Sequence, residues 1–233
     1  MSAPIGLQPT AELAERVLLP GDPARALLLA ESLLEGPKMF NHHRGLWGYT
    51  GLAPDGASLT IQSTGMGGPS AAIVIHELID LGARRLLRVG TCGALARGLR
   101  LGDLVSATDA IAADGTSRAL GAGERVAAGS DLLGALSGAA EHSGPVVTTD
   151  IFYDDRGLEA GWREAGAIAV EMETATLFAL AGAHDVQAAA LLVVSDLVLP
   201  ERARIDRDAL RAAEQRMGRA AVAALSRVDE RQP

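Results

Sequence analysis

The chain has 233 residues, 48% of them hydrophobic, which is enough for one continuous core, and we expect a single domain over residues 1–233. A formal charge of −8 and an isoelectric point of about 5.1 disfavour nucleic acid and membrane surfaces as partners, because both are polyanionic. The lone Cys92 excludes an intramolecular disulfide and a multi-cysteine metal site, and no apolar run approaches the roughly 20 residues that span a bilayer. Since the N-terminal region also lacks a basic segment followed by an apolar one, these features predict a cytoplasmic protein.

Apolar runs of strand length alternate with helical periodicity along the chain, the pattern of an α/β sheet covered by helices. We predict strands at residues 17–19, 59–63, 86–89, 104–113 and 191–194. Helices are predicted at residues 23–34, 69–81, 131–141, 170–182 and 208–228, the fourth of them entered from a strand. Ser143-Gly144-Pro145 predicts the end of the third helix, and residues 115–129, with four glycines, predict a surface loop.

The segment Pro20-Gly21-Asp22-Pro23 lies where the first predicted strand passes into a helix, and Arg25 falls in the first turn of that helix. A glycine lets backbone N–H groups approach an anion, the helix N-terminus adds partial positive charge, and Arg25 adds a charged donor. The segment therefore suits phosphate. The alternative is an ordinary strand-to-helix turn with proline at the first helical position and a solvated arginine.

Two further glycine-containing segments follow predicted strands. In residues 63–70, three glycines within four residues let the backbone come close to a ligand. Their spacing fits neither the Walker phosphate loop nor the dinucleotide fingerprint. The alternative is a bare glycine-rich turn. In residues 88–94 an apolar strand ends in a cation, glycines and a hydroxyl, which places Arg88 and Thr91 to bind an oxyanion. Cys92 is interpreted as a small buried residue without a catalytic role, because no histidine lies nearby in the sequence.

Carboxylates mark two later segments. Glu171 and Glu173 flank Met172, and a carboxylate there can accept both hydroxyl protons of a ribose while a methionine packs against the apolar face of the sugar. The alternative is that these acids favour a helix N-terminus. Asp196 follows Ser195 and the apolar run 191–194, a position that suits a buried, protonated acid as well as a helix N-cap.

Together these segments resemble the purine nucleoside and uridine phosphorylases that assemble as dimers, trimers of dimers and hexamers. The resemblance covers nearly the whole chain, and its blocks stand in the family's order: PGDPARA at 20–26, FNHHRGLWGYTG at 40–51, STGMGGPSAAIVIHEL at 63–78, RVGTCGA at 88–94, TTDIFYDD at 148–155, VEMETATLFALA at 170–181 and LLVVSD at 191–196. It implies a phosphorylase-type three-layer α/β sandwich with a mixed, partly closed central sheet flanked by helices. It also implies a homo-oligomer, most simply a hexamer built as a trimer of dimers.

The resemblance divides the site residues into three groups. The phosphate group comprises Gly21, Arg25, Arg88 and Thr91, with Arg44 lent by a neighbouring subunit. The ribose group comprises Met172 and Glu173, with Glu171 and Met66 close by. The base would stack against Phe152 beside Cys92, Gly93 and Val170, with Asp196 at its imidazole edge as the catalytic acid. No metal or organic cofactor is implied, and inorganic phosphate is the co-substrate.

Two features depart from the family pattern. Many relatives carry a histidine near the N-terminus that reaches a partner's ribose 5′-hydroxyl, whereas this chain begins Met1-Ser2-Ala3-Pro4-Ile5-Gly6. Residues 115–129 also look shorter than usual, which leaves the cover over the base open. An arginine partner for Asp196 is expected further on, and the sequence leaves five candidates: Arg202, Arg204, Arg207, Arg211 and Arg216.

The implied reaction is phosphorolysis of the N-glycosidic bond of purine (deoxy)ribonucleosides, giving the free base and (deoxy)ribose 1-phosphate. Purine is favoured over uridine because residues 152–166 lack the glutamine and arginine pair of uridine phosphorylases, with Arg156 and Arg163 as substitutes. Uridine phosphorylase and methylthioadenosine phosphorylase activities are the alternatives. A nucleosidase that uses water has no use for Arg25, Arg44 and Arg88 converging on an anion. The simultaneous presence of Glu173, Asp196 and these three arginines argues against a nucleoside-binding protein without catalysis.

Overall fold

The computed structural model describes residues 4–199 and 202–229 of the chain. The strands in these ranges are β1 Arg16–Leu19, β2 Glu35–Asn41, β3 Gly48–Leu52, β4 Ser58–Gln62, β5 Arg85–Ala94, β6 Leu104–Ala112, β7 Arg125–Ala127, β8 His142–Thr148, β9 Ala169–Glu171, β10 Gln187–Leu197 and β11 Ala203–Arg204. The α-helices are α1 Pro23–Leu33, α2 Gly68–Asp80, α3 Gly115–Ala119, α4 Ser130–Ala135, α5 Glu159–Glu164, α6 Thr174–Ala183 and α7 Arg207–Asp229, and a 3-10 turn spans His43–Gly45.

The strands form one mixed sheet that is partly closed. β5 pairs with both β9 and β10, and β8 and β6 complete a ring of pairings between those two strands. From β5 the sheet continues through β1, β4, β3 and β2. Parallel pairs such as β1–β5 occur beside antiparallel pairs such as β3–β4. The mixed, partly closed sheet flanked by helices confirms the predicted fold class.

Helices cover the sheet on both faces, because successive strand residues point to opposite sides. Val17 packs in one buried cluster together with the apolar faces of α2 and α6. Leu18, the next residue, packs in a second cluster with residues of α1, α4 and α7. The result is the three-layer arrangement. None of the helices in the described ranges combines the length and apolar character needed to cross a membrane.

β5 and β10 are both longer than predicted from the sequence. Their candidate site residues therefore lie within the strands and not in the loops after them. The two strands pair in parallel from Gln187 opposite Arg85 to Leu197 opposite Ala94. The register shifts between Val194 and Asp196, which makes a β-bulge at Ser195. A bulge re-aims the side chains next to it, so Ser195 and Asp196 both reach the same cavity although they are consecutive.

Two predictions about the middle of the chain are wrong. The helix predicted at 131–141 ends at Ala135, and the expected breaker lies inside β8, where Pro145 coincides with a register shift against β6. Proline is tolerated at such an irregularity because no ladder hydrogen bond is required of it. The loop predicted at 115–129 contains α3, whose N-terminus is capped by the Asp114 side chain, and β7, which pairs with β6.

The sequence also gave no indication of the hairpin β2–β3. β2 is exposed over most of its length and contains Gly36 and Pro37, so it lacks the alternating apolar pattern of a half-buried strand. It forms because it pairs at the edge of the sheet with β3, which in turn pairs with β4. An edge position tolerates proline and charged residues that a central strand excludes.

Candidate active site

A cavity of about 250 Å³ opens at the carboxyl ends of β1, β5 and β10. These strands are mutually parallel neighbours, so the segments that follow them meet at one edge of the sheet. Of the predicted site residues, all but Arg44 line this cavity: Gly21, Arg25, Met66, Arg88, Thr91, Cys92, Gly93, Phe152, Val170, Glu171, Met172, Glu173 and Asp196.

Arg88 lies at the buried end of the cavity with its side chain only 6% exposed. Its Nε donates to Glu171 Oε2 at 2.9 Å, and its terminal NH2 lies 2.6 Å from Glu173 Oε2. Burial lowers the pKa of the Arg88 guanidinium, but the charges of Glu173 and Glu171 outweigh it, so the net direction is upward. Arg88 therefore remains a cation in a site with little water.

Glu171 is a buried anchor beneath Arg88. Its side chain has no exposed surface, and its oxygens accept from Arg88 Nε, from the backbone N–H groups of Glu173 and Thr174, and from the Thr148 hydroxyl. Through these bonds one carboxylate fixes both the guanidinium and the N-terminus of α6. Since its oxygens already accept these bonds, Glu171 is placed to hold Arg88 and the start of α6.

Glu173 joins the glycine-rich segment after β4 to the cavity. The N–H of Gly67 donates to Glu173 Oε1, and Gly67 has a φ of +85°, a conformation that favours glycine. Burial raises the pKa of the Glu173 carboxyl, with the Arg88 charge opposing that shift and the neighbouring Glu171 adding to it. Residues 63–70 thus position a carboxylate, a role that the sequence pattern did not reveal.

Arg25 enters the cavity from the first turn of α1. Its Nε donates to Glu214 Oε1 of α7 at 2.6 Å, and the two side chains are 9% and 10% exposed. Gly21, which precedes this turn, lies close to the neighbouring loop, since a Cβ there would stand 3.2 Å from the carbonyl oxygen of Gly65. Sequence reasoning missed Glu214 because 189 positions separate it from Arg25. The sequence of α7 indicates an amphipathic helix and gives no sign of a site residue.

Asp196 and Ser195, near the end of β10, also line the cavity. The Ser195 hydroxyl donates to Asp196 Oδ2 at 2.7 Å. Across the β10–β11 pair, Asp196 lies opposite Arg204, whose Nε is 3.4 Å from Asp196 Oδ1. Among the five candidate arginines, Arg204 is thus the one that the structure pairs with Asp196, whereas Arg216 contacts Glu141 and Gly102.

The walls around Asp196 are largely apolar. Phe152 is half exposed and stacks edge-on against Tyr153, at 4.9 Å between ring centroids. Burial raises the pKa of the Cys92 thiol, which keeps it protonated and fits a wall residue rather than a nucleophile. Further apolar lining comes from residues that sequence reasoning did not single out: Ile151, Leu158, Trp162 and Val198. Leu158 and Trp162 belong to the α5 region, a short helix without a clear sequence signal.

Arg44 is not among the residues that line the cavity. It lies in the 3-10 turn with a φ of +56°, and its Nε donates to the carbonyl oxygen of Ile5 at 3.3 Å. Ile5 is itself 68% exposed, and the backbone N–H groups of residues 5–7 are held by the Glu77 carboxylate. Arg44 is therefore displayed on the surface beside the N-terminal segment. Met1, Ser2 and Ala3 lie outside the described residues.

The chain belongs to the phosphorylase superfamily, whose family model matches residues 15–227. It is 41% identical over 208 residues to a DeoD-type purine nucleoside phosphorylase of Geobacillus kaustophilus, covering 85% of this chain and 87% of that protein. It is 40% identical over 213 residues to a DeoD-type purine nucleoside phosphorylase of Jannaschia sp., covering 87% and 90%. The crystal structure of a Vibrio fischeri uridine phosphorylase, complexed with 6-hydroxy-1-naphthoic acid, matches with a TM-score of 0.84 and 27% identity over 92% of each chain.

Proposed function

We propose that this enzyme is a purine nucleoside phosphorylase, which transfers the pentosyl group of a purine (deoxy)ribonucleoside to inorganic phosphate. The observation that carries the proposal is one cavity lined both by two buried arginines and by Asp196, a carboxyl group that lies 3.4 Å from Arg204. Phosphorolysis needs charge stabilisation at both ends of the bond that breaks, because the sugar becomes positive and the leaving base negative. The two relatives at 41% and 40% identity are purine nucleoside phosphorylases, whereas the uridine phosphorylase structure is 27% identical, which favours purine over uridine.

The residues divide between the two ends of the reaction. Arg25, Arg88 and Thr91, with the backbone at Gly21, hold phosphate beneath the anomeric carbon, where it attacks and its charge stabilises the oxocarbenium-like sugar. Glu173 accepts the ribose hydroxyl protons, and Met66 and Met172 pack against the sugar. The base lies against Phe152, Cys92, Gly93 and Val170, while Asp196 hydrogen-bonds to or protonates N7.

Phosphate serves as co-substrate, and the proposed reaction needs no metal or organic cofactor. Among the described residues, no group of three or more histidine, cysteine, aspartate or glutamate side chains could hold a metal ion. The reaction is acid catalysis combined with electrostatic stabilisation, and the arginines and Asp196 supply both.

We infer further that the active form is a homo-oligomer, in which Arg44 completes the phosphate site of a neighbouring subunit. A hexamer built as a trimer of dimers in the cytoplasm is the assembly that this proposal favours. The support is the exposed position of Arg44 outside its own cavity and its left-handed backbone, which is uncommon for a residue other than glycine. A sedimenting monomer with full turnover at the assay concentration would contradict this.

The function is tested by incubating the enzyme with inosine, guanosine, adenosine, methylthioadenosine or uridine, with and without inorganic phosphate, and separating the products. We expect purine release that depends on phosphate and yields an equal amount of ribose 1-phosphate. Free ribose in phosphate-free buffer would indicate a nucleosidase. Uridine as the fastest substrate would indicate a uridine phosphorylase, and bound nucleoside without base release would indicate a binding protein.

A further inference from the structure

The two buried arginines of the cavity are each held through Nε by a buried carboxylate. Arg88 donates through Nε to Glu171, and Arg25 donates through Nε to Glu214, in each case to a carboxylate whose side chain is at most 10% exposed. An arginine has five N–H donors in a rigid fork, so a bond at Nε fixes the plane of the fork while terminal donors can still face a ligand. In Arg88 one of these terminal nitrogens, NH2, also lies 2.6 Å from Glu173 Oε2. The donors that would hold phosphate are therefore aimed by carboxylates behind them.

We propose that Glu214 is a positioning residue for phosphate binding, which acts by orienting Arg25. This inference rests on the proposed function, since it takes the anion in the cavity to be phosphate. Glu214 need not touch phosphate, because it acts through the guanidinium whose Nε it holds at 2.6 Å. It comes from the C-terminal helix, whereas the proposed phosphate residues that line the cavity follow β1 or lie in β5.

The packing of α7 against α1 explains why Glu214 can reach Arg25. Gly218 lies one helical turn after Glu214, and Leu29 lies one turn after Arg25. A Cβ at Gly218 would stand 2.5 Å from the Leu29 Cδ2 atom, so the glycine permits a close approach of the two helices. The contacts therefore match on both helices, with Arg25 and Leu29 facing Glu214 and Gly218.

If Glu214 acted only through its negative charge, its removal would have the opposite effect on phosphate binding. Glu214 is a negative charge close to an anion site, so by charge alone its removal would strengthen phosphate binding. If Glu214 instead orients Arg25, its removal weakens phosphate binding, because a misdirected guanidinium loses its paired hydrogen bonds to the ligand. The sign of the change thus separates the two roles.

The test measures inorganic phosphate in two ways: its binding by calorimetry without nucleoside, and its KM in the phosphorolysis of inosine. Glu214→Ala should weaken phosphate in both by about 10- to 100-fold and leave the inosine KM within about threefold, because misplacing a positioned group by about 1 Å can cost that much. Glu214→Gln keeps an acceptor at the same reach and should recover most of the loss. Glu214→Asp keeps the charge but is shorter and should lose several-fold.

The matched control is Arg216→Gln, which removes another ion pair of α7, that with Glu141, away from the cavity. It should leave phosphate binding unchanged. In an Arg25→Ala background, Glu214→Ala should add little further loss, because residues that act as a unit are not additive. If Glu214→Ala does not fold, Glu214→Asp serves as the test of orientation.

Unchanged or tighter phosphate binding in Glu214→Ala, or in Glu214→Asp where only that variant folds, would overturn the inference. A full additional loss in the Arg25→Ala background would overturn it as well. These outcomes differ from a failure of the proposed function, which would show in the wild-type enzyme as base release without phosphate and no phosphate binding.

Discussion

Asp196 of β10 and Arg204 of β11 are register partners in an antiparallel pair, and Arg204 Nε lies 3.4 Å from Asp196 Oδ1. The β-bulge at Ser195 turns Asp196 toward the cavity, and the short return strand β11 brings Arg204 beside it. In the proposed mechanism Asp196 gives its proton to the base, which would form a carboxylate next to this cation. We therefore predict that Arg204 stabilises the product of the proton transfer.

Arg204→Gln should lower kcat on inosine by about two- to fivefold, because an ion pair as exposed as this one contributes about 1 kcal/mol or less. The phosphate KM should not change, since Arg204 contacts Asp196 and is not among the residues that line the cavity. Arg207→Ala, which removes a nearby cation at the start of α7, is the control. A loss of kcat in that control equal to the loss in Arg204→Gln would contradict the assignment.

Gly90 separates Arg88 from Thr91 in β5, and its missing side chain makes room for the guanidinium. A Cβ at Gly90 would stand 2.8 Å from the Arg88 Cζ atom and 2.8 Å from its NH2. Gly90→Ala should therefore displace Arg88 and raise the phosphate KM by about tenfold or more, because charge-assisted contacts contribute roughly 1.5 to 3 kcal/mol. Steady-state kinetics with varied phosphate measure this.

Gly134→Ala is the control for that substitution, because nothing lies within 4 Å of a Cβ at this helical position. It should leave the kinetics unchanged and favour the folded state by roughly 0.5 to 1 kcal/mol, since alanine is the better helix former. An unchanged phosphate KM in Gly90→Ala would contradict the prediction, because phosphate binding would then not depend on the position of Arg88 that Gly90 permits.

The fold could largely be predicted where the sequence carries a strong local signal. The first strand, α1, α2 and α7 lie within two residues of their predicted bounds, because each has an apolar period and most have a clear start. β2 and β7 could not be predicted, since they are stabilised by pairing at sheet edges rather than by an apolar pattern. Pairing of that kind depends on partners far along the chain.

The candidate site likewise contains residues that a local sequence signal identifies and residues that only tertiary packing brings to it. Glycine and charge at the ends of strands identified Gly21, Arg25, Arg88 and Asp196 as residues that meet in one cavity. The carboxylates behind the arginines could not be found in this way, because Glu214 is remote in sequence and Glu171 looked like a ligand contact rather than a buried anchor. Sequence patterns locate groups that face a ligand, whereas the groups that hold them follow from tertiary packing.

Arg44 can be tested by mixing two defective subunits. Arg44→Ala and Asp196→Asn homo-oligomers should each have low activity, because each lacks one component of every site. If Arg44 acts across a subunit contact, mixed dimers restore one complete site, and random reassembly of equal amounts should recover activity in about a quarter of the sites. The measurement is adenosine phosphorolysis after dissociation and reassembly, with the separately treated variants as controls, because Asp196→Asn is expected to be most defective on adenosine. No recovery would indicate that Arg44 acts within its own subunit or not at all.

The pH dependence of stability can be tested at Asp55, whose carboxylate pairs with Arg16 at 2.6 Å through two nitrogens. These hydrogen bonds hold the pKa of the Asp55 carboxyl well below its usual range. A depressed pKa in the folded state adds stability above the unfolded value, about 3.9, and this stability is lost as the pH falls below it. At pH 7, Asp55→Asn should therefore lower the free energy of unfolding by about 2 kcal/mol.

The difference between wild type and Asp55→Asn should narrow as the pH is lowered from about 5 toward 2, as measured by urea unfolding at each pH. Asp80→Asn is the control, since Asp80 pairs with His76 at 3.6 Å and both side chains are about half exposed. That variant should change stability by less than about 1 kcal/mol. If the difference in the free energy of unfolding between wild type and Asp55→Asn stays constant over this pH range, the ionised pair is not its cause.

Asp196→Asn separates contact with the base from protonation of the base. Asparagine can still donate a hydrogen bond to N7, but it cannot deliver a proton. A 6-oxopurine can spread negative charge onto its oxygen as it leaves, whereas adenine has no such oxygen and depends more on protonation. General acid catalysis is typically worth about 10²- to 10⁴-fold, so the variant should lose most of that factor on adenosine and less on inosine.

The measurement is kcat/KM for adenosine and inosine at saturating phosphate, in wild type and in Asp196→Asn. Ser195→Ala is the matched control, because it removes the hydroxyl that donates to Asp196 Oδ2 and leaves the carboxyl group in place. It should lower both values by similar, smaller factors. Equal losses on the two substrates in Asp196→Asn would mean that Asp196 only positions the base, and the absence of a loss on either would place the general acid elsewhere in the cavity.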